Sequence, residues 1–125
     1  MTPAEIDQLA DRIFAAITAG DVEALRAIYA DDVEVWHNFD MVTQNRDRNL
    51  KTLSWMHSKA TNLRYTEIDR VVLADGFVQQ HVLRATAPNG TEITVPAMLR
   101  IRCADGRITR IDEYLDPAQA AALRS

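Results

Sequence analysis

Three turn sequences in the second half of the chain constrain the fold more than any other feature. They are Asp75-Gly76, Pro88-Asn89-Gly90 and Asp105-Gly106. Asp-Gly and Asn-Gly between apolar runs are the strongest short-range signals for β-hairpins. Because hairpins join neighbouring strands, we expect antiparallel pairing, and the length of the strands favours a twisted, curled sheet. The four predicted strands lie at about residues 63–74, 77–87, 92–103 and 107–115.

The first half of the chain predicts three helices and one further strand. Thr2-Pro3-Ala4-Glu5 has the pattern of a helix start, and apolar residues follow it at helical spacing. Gly20 ends this helix, and Asp21 can cap a second one, which we expect to stop at Asp31-Asp32. The remaining expected elements are a strand at 33–39, a helix from 46 to about 58, and a helical turn or loose tail at 117–123.

This order of elements predicts one α+β domain over residues 1–125. The three N-terminal-half helices are expected to cover one face of a curved antiparallel sheet. A curled sheet covered by helices leaves a conical cavity, which is a usual place for a small ligand.

Composition and charge exclude several classes of protein. With 47% hydrophobic and 26% charged residues, the chain has the composition of a globular domain. A net charge of −4 without a basic block argues against nucleic acid as a partner. No apolar run approaches the roughly 20 residues of a membrane helix, the N-terminus lacks the pattern of a signal peptide, and the single Cys103 cannot form an internal disulfide. We therefore expect a soluble, cytoplasmic protein.

Glu113 is the best candidate for an acid or base. Alternation along the last predicted strand places it on the same face as Ile111 and Leu115, with Asp112 and Tyr114 on the other face. A carboxylate on an apolar face is held away from water, a setting that suits proton transfer. The alternative is a glutamate at a sheet edge or one paired with an arginine.

The stretch Val35-Trp36-His37-Asn38-Phe39-Asp40 suits the lining of a pocket, because it places aromatic and hydrogen-bonding groups on the first predicted strand. Trp36 and Asn38 face one side of that strand and His37 the other. Only one set lines the pocket unless a bulge intervenes, and which set does so stays open. His37 and His81 are the side chains best suited to proton transfer near neutral pH, and for each the alternative is a hydrogen-bonded core histidine.

The order of elements resembles the NTF2-like superfamily, and the local sequence resembles its SnoaL-like branch. The resemblance covers nearly the whole chain and implies the fold shared by polyketide cyclases, limonene-epoxide hydrolases and ketosteroid isomerases. It selects no single activity, because the superfamily includes isomerases, cyclases, dehydratases, epoxide hydrolases and non-catalytic binders. The residues that carry it are Tyr29-Ala30-Asp31-Asp32-Val33, Trp36-His37-Asn38, Gly106-Arg107-Ile108 and Ile111-Asp112-Glu113-Tyr114-Leu115-Asp116.

The resemblance implies roles for several of these residues. In the epoxide-hydrolase branch, the carboxylate that matches Glu113 activates water, and a Tyr-x-Asn strand that matches Trp36 and Asn38 positions it. The indole of Trp36 can only donate a hydrogen bond, unlike the tyrosine. An Arg-x-Asp pair aligns with His81 and Leu83, so the aspartate of that hydrolase triad is missing and His81 with Glu113 remains as a candidate dyad.

The isomerase branch is matched less well. Asp40 resembles the general base of the isomerases, but Phe14 stands where those enzymes have a tyrosine. We therefore expect a cofactor-independent enzyme that acts on an apolar oxygenated small molecule by general acid/base catalysis or water activation.

In this hypothesis Glu113 is the base, His81 is its partner, and Asn38 and His37 orient water or a substrate oxygen. No metal or cofactor is expected, because the chain lacks metal-ligand spacings, a Gly-rich phosphate loop and a nucleotide fingerprint. The predicted substrate-binding lining consists of Phe14, Trp36, Phe39, Trp55, Met56 and Leu83, for which ordinary core is the alternative.

Two other functions remain open. The same pocket would serve a non-catalytic small-molecule-binding domain, and a filled pocket would leave a dimeric interaction module. Val82, Met98 and Tyr114 are predicted on the sheet face that points away from the helices. Since the superfamily commonly dimerises through its sheet, we expect a homodimer.

Overall fold

The computed structural model describes residues 1–124, so Ser125 of the predicted 1–125 domain lies outside the described residues. The chain forms three helices, six strands and a final 3₁₀ segment, in the α+β arrangement predicted from the sequence. In chain order these are α1 (Pro3–Ala19), α2 (Val22–Ile28), β1 (Tyr29–His37), β2 (Thr43–Gln44), α3 (Arg46–Lys59), β3 (Thr61–Leu73), β4 (Gly76–Thr86), β5 (Glu92–Ala104), β6 (Arg107–Leu115) and the 3₁₀ segment Pro117–Arg124.

The helix ends have the capping chemistry expected from the sequence. Thr2 and Glu5 form a capping box at the start of α1, and Asp21 caps α2. Gly20 ends α1 in the left-handed conformation, with φ of 67°, where a residue without a Cβ carries no steric penalty. Asn45 accepts a hydrogen bond from the Arg48 N–H and starts α3.

The six strands form one sheet in the order β2-β1-β6-β5-β4-β3. The three predicted hairpins are confirmed, and they make β3 to β6 an antiparallel meander. One pairing adds to the predicted antiparallel sheet: β1, the first strand of the chain, pairs in parallel with β6. Hairpin turns specify the neighbours of consecutive strands only, and they carry no information on where β1 joins the sheet.

The boundary between α2 and β1 lies four residues earlier than predicted. The strand begins at Tyr29 rather than at residue 33, and Asp31-Asp32 lie within it as exposed residues instead of breaking a helix. A register shift against β6 between Tyr29 and Glu34 accommodates this segment. As a result Tyr29 is a buried strand residue and not part of a helix face.

The core lies between the helices and the inner face of the sheet. Along β5, Leu99 and Ile101 are buried while Met98 and Arg102 face outward, as alternation predicted. The outer face of the sheet is left open, with Met98 and Tyr114 45% and 52% exposed. Within residues 1–124, no helix is both long and apolar enough to cross a membrane.

Candidate functional site

A cavity of about 180 Å³ lies between the inner face of the sheet and the helices. Most of its wall is apolar, and polar groups enter it from β1, β3, β4, β6 and α3. An apolar cavity of roughly 150 Å³ holds a benzene molecule, so this cavity has room for a ligand of about one ring. The polar and aromatic lining residues are Phe14, Tyr29, His37, Phe39, Asn49, Thr52, Trp55, Tyr65, His81, Glu113 and Arg124.

His37 and Glu113 form a hydrogen-bonded pair of ionisable side chains in the wall. They are register partners across the parallel β1–β6 pairing, and His37 Nε2 lies 3.1 Å from Glu113 Oε1. Their side chains are 12% and 21% exposed. Because an ionised carboxylate can only accept, the facing Nε2 carries the proton of this hydrogen bond. The other ring nitrogen, Nδ1, is buried without a partner among the described residues.

The position of His37 shows which face of β1 meets the cavity. His37 and Val35 face the cavity, whereas Trp36 lies on the opposite face of β1 with its ring 5.4 Å from that of Tyr114. The prediction that Trp36 lines the pocket is therefore wrong, because side chains alternate along the strand and no bulge interrupts residues 34–37.

Asn38 does not line the cavity either, so the prediction that it orients water there is not supported by its position. Its side-chain oxygen accepts a hydrogen bond from the Leu115 N–H at 2.9 Å, and its own N–H donates to the Glu113 carbonyl at 3.1 Å. Asn38 therefore connects the end of β1 to the backbone of Glu113 and of Leu115, the two neighbours of Tyr114 on β6. The effect is to hold the backbone of Glu113 beside His37.

His81 lines the cavity, but the structure does not pair it with Glu113. It lies on β4, which is separated from β6 by β5, so the two strands are not neighbours. The Nδ1 atom of His81 lies 2.9 Å from the side-chain nitrogen of Gln79. Burial lowers the pKa of His81, and the negative charge of Glu113 opposes that shift. The predicted dyad of His81 and Glu113 is thus replaced by one of His37 and Glu113.

Two tyrosines in the wall were missed by sequence reasoning. Tyr29 donates a hydrogen bond to Asn49 Oδ1 at 2.8 Å, and Tyr65 packs with its ring 4.5 Å from that of His81. Burial, assisted by the charge of Glu113, raises the pKa of both hydroxyls above the ordinary value of 10.0. Both therefore remain hydrogen-bond donors at neutral pH. Among residues 1–124, the Tyr65 hydroxyl has no protein acceptor.

Five of the six residues predicted as substrate-binding lining lie in the cavity wall. Phe14, Met56 and Leu83 contribute to the inner wall, while Phe39 and Trp55 lie at its rim and are 48% and 37% exposed. The guanidinium of Arg124, in the 3₁₀ segment, lies 5.5 Å above the Trp55 ring. The described residues include no group of three or more His, Cys, Asp or Glu side chains placed to hold a metal ion.

Comparison with known proteins identifies relatives of this chain by sequence and by shape. Residues 10–111 match the sequence profile of the SnoaL-like domain. No curated protein matches the chain at a significant level.

Similar solved structures cover almost the whole chain. PrhC from Penicillium brasilianum is 17% identical, with a TM-score of 0.85 over 98% of this chain and 87% of its own. IdmH from Streptomyces antibioticus, a proposed polyketide cyclase, is 20% identical with a TM-score of 0.81 over all of both chains. An NTF2-like protein from Burkholderia xenovorans is 21% identical with a TM-score of 0.78, over 100% of this chain and 99% of its own. At these low identities, the TM-scores show a shared fold and nothing about activity.

Proposed function

Since the chain belongs to the SnoaL-like domain family, we propose that it is a cofactor-independent enzyme that transfers protons on an apolar, oxygenated small molecule. The observation that supports this most is the contact of 3.1 Å between His37 Nε2 and Glu113 Oε1 in a mostly apolar cavity wall. A base beside a positioned hydrogen-bond donor is the minimal equipment for general acid/base catalysis.

The two residues have distinct roles in this proposal. Glu113 is the base, and it removes a proton from a carbon next to a carbonyl group; the electron pair of that C–H bond moves into an enolate. His37 donates a hydrogen bond to Oε1 and leaves Oε2 to accept the proton. The polyketide-cyclase name carried by IdmH supports this type of step, because a carbon–carbon cyclisation starts from an enolate. If Glu113 returned the proton to the enolate before a new bond formed, the result would be isomerisation or exchange instead of cyclisation.

The proposal is tested by proton–deuterium exchange of simple carbonyl compounds in D₂O, followed by NMR. Acetophenone and ethyl acetoacetate are suitable in size for the cavity. We expect the wild-type protein to accelerate exchange next to the carbonyl. Glu113→Gln should reduce this acceleration by about 10² to 10⁴, the usual contribution of a positioned base.

Glu34→Gln is the matched control, because Glu34 lies on β1 but is exposed and pairs with Arg110 outside the cavity. It should leave exchange unchanged. Equal exchange rates in wild type and Glu113→Gln would refute the assignment of the base.

A non-catalytic binding domain is the second candidate, supported by the largely apolar lining of the cavity. It predicts that acetophenone binds without accelerated exchange and that Glu113→Gln binds it as well as wild type. The third possibility, an interaction module with a filled hollow, is disfavoured by the volume of about 180 Å³.

A further inference from the structure

A chain of hydrogen bonds links the surface of α1 to His81 in the cavity. Arg70 Nη1 donates to Asp7 Oδ1 at 2.8 Å and to Asp11 Oδ1 at 2.9 Å. Arg70 Nε donates to Gln79 Oε1 at 2.8 Å. The Gln79 side-chain nitrogen lies 2.9 Å from His81 Nδ1. Gln79 is completely buried and His81 is 4% exposed.

The chemistry of this chain fixes the tautomer of His81. A guanidinium can only donate hydrogen bonds, so the atom of Gln79 that faces Arg70 is the oxygen. The atom that faces His81 is then the NH₂ group, which donates to Nδ1. An Nδ1 that accepts a hydrogen bond carries no proton, so the neutral imidazole carries its proton on Nε2.

The same arrangement opposes protonation of His81. If Nδ1 also took up a proton, that N–H would point at the Gln79 NH₂ group, and two hydrogen-bond donors would face each other. The ring is also enclosed by apolar and aromatic groups, with Phe14 at 5.3 Å and Tyr65 at 4.5 Å between ring centres. Both effects favour the neutral form, which is consistent with the lowered pKa of this histidine.

His81 and Glu113 stand on opposite sides of a space of ligand size. His81 is the register partner of Ala97 on β5, and Leu99, two residues further along β5, is the partner of Glu113. Strands two positions apart are separated by roughly 10 Å. The inward side chain of β5 beside His81 is only a methyl group, which leaves room for a ligand atom between the donor and the base.

We propose that His81 is a neutral hydrogen-bond donor that holds a carbonyl oxygen of the substrate through Nε2–H, and that Gln79 and Arg70 are positioning residues that fix its tautomer. The substrate class is then a carbonyl compound, whose oxygen gains negative charge as Glu113 removes the neighbouring proton. This substrate assignment rests on the proposed function, whereas the tautomer does not.

The first test is the protonation state of the ring nitrogens in ¹⁵N-labelled protein. Long-range ¹H–¹⁵N NMR spectra distinguish a nitrogen that carries a proton from one that does not. The protein has three histidines, and the spectrum of His81→Asn identifies the signals of His81. We expect an unprotonated Nδ1 and a protonated Nε2 at neutral pH. The opposite pattern in the wild type would overturn the proposal.

Gln79→Glu tests the positioning role. A carboxylate accepts hydrogen bonds from both neighbours, so it should draw the proton of His81 onto Nδ1 and leave Nε2 without one. Gln80→Glu is the matched control, since Gln80 lies next to it but faces outward and contacts Asp69. It should leave the signals of His81 unchanged. A tautomer that is unaltered in Gln79→Glu would refute the role of Gln79.

The second test compares two probes of similar shape, acetophenone and ethylbenzene, by NMR titration. Only acetophenone has a carbonyl oxygen. Relative to wild type, Gln79→Glu should reduce the preference for acetophenone by roughly three- to tenfold, the range expected for one hydrogen bond. Gln80→Glu should keep the preference. An unchanged preference in Gln79→Glu would refute the contact between His81 and the carbonyl group.

The outcomes separate this inference from the proposed function. Failure of the exchange assay, together with the expected tautomer and ketone preference, would refute catalysis and keep His81 as a ligand-binding donor. The reverse tautomer would refute the inference, whatever the exchange assay gives. If Gln79→Glu does not fold, the wild-type tautomer and the shift of the His81 Nε2–H signal on adding acetophenone decide the question; absence of that shift counts against the proposal.

Discussion

Replacement of Tyr29 by phenylalanine removes one hydroxyl from a buried polar chain and should destabilise the protein measurably. The hydroxyl donates to Asn49 Oδ1 at 2.8 Å, and the Asn49 NH₂ group donates to Gln44 Oε1 at 3.1 Å. Tyr29 and Asn49 are 1% and 3% exposed. The amide of Asn49 cannot turn over to compensate without losing its bond to Gln44.

The expected loss of stability comes from Asn49 Oδ1, the acceptor that remains without its donor. A buried acceptor left without its donor costs about 1–3 kcal/mol, which in a chain of this length corresponds to roughly 4 °C of Tm for each kcal/mol. Urea unfolding and thermal unfolding both measure this. The urea m-value should stay unchanged, since the same surface is exposed on unfolding.

Tyr65→Phe is the matched control, because it removes the same atom from the same cavity wall. The Tyr65 hydroxyl has no protein acceptor among residues 1–124, so its removal should change the free energy of unfolding by about 0.5 kcal/mol or less. If Tyr29→Phe were as mild as Tyr65→Phe, the buried polar chain would not contribute as argued. A large loss in Tyr65→Phe would equally contradict the reasoning.

The two variants should also differ from wild type in how stability depends on pH above pH 10. The folded state raises the pKa of both tyrosines, so above pH 10 the unfolded chain releases protons that the folded one retains. The contribution of the two tyrosines to the free energy of unfolding is therefore fully present below pH 10. It falls as the pH rises further, by up to about 1.4 kcal/mol per pH unit for each tyrosine. Each phenylalanine variant should have a shallower decline between pH 10 and 11.5.

Three further predictions concern other parts of the molecule. Burial lowers the pKa of His81 against the opposing charge of Glu113, so the contribution of its neutral form to stability is present above pH 6.5 and decreases as the pH falls below it. In His81→Asn, the free energy of unfolding measured in urea should therefore change less between pH 7 and 5 than in wild type. Met98→Glu should convert the predicted homodimer, which uses the exposed sheet face, into a monomer by gel filtration, and a wild-type monomer at low concentration would contradict the dimer. Gly76→Ala would place a Cβ atom against a backbone carbonyl oxygen and should cost about 3 kcal/mol or more, whereas Gly90→Ala, with open space around it, should cost only about 1 kcal/mol in thermal unfolding.

The features that follow from local sequence were predictable. Asp75-Gly76 and Asp105-Gly106 set two hairpins, and alternation within β6 correctly put Glu113 on the face of Ile111. These predictions succeed because a tight turn and a period of two residues are properties of a few neighbouring residues.

The partner of Glu113 was not predictable in the same way. His37 meets it only because β1 joins β6 in parallel, a pairing between segments 76 residues apart with no turn sequence to mark it. The assignment of Trp36 to the pocket failed for the same reason, since the face of β1 that meets the cavity depends on that register. The second helix ends at Ile28, short of the predicted stop at Asp31-Asp32, because Tyr29 pairs with Ile108 of β6 and this tertiary pairing overrides the local helical preference.

The central position of β6 also bears on how this protein emerges from the ribosome. The strand that carries Glu113 is made after all the others, yet it lies between β1 and β5. Until it is synthesised, the edges of β1 and β5 with which it pairs have no partner, a state that favours association with other chains. The insertion of β6 covers both of these inner edges and brings Glu113 to His37 in one event, so the nascent chain loses two sites of association in the same step that assembles this pair.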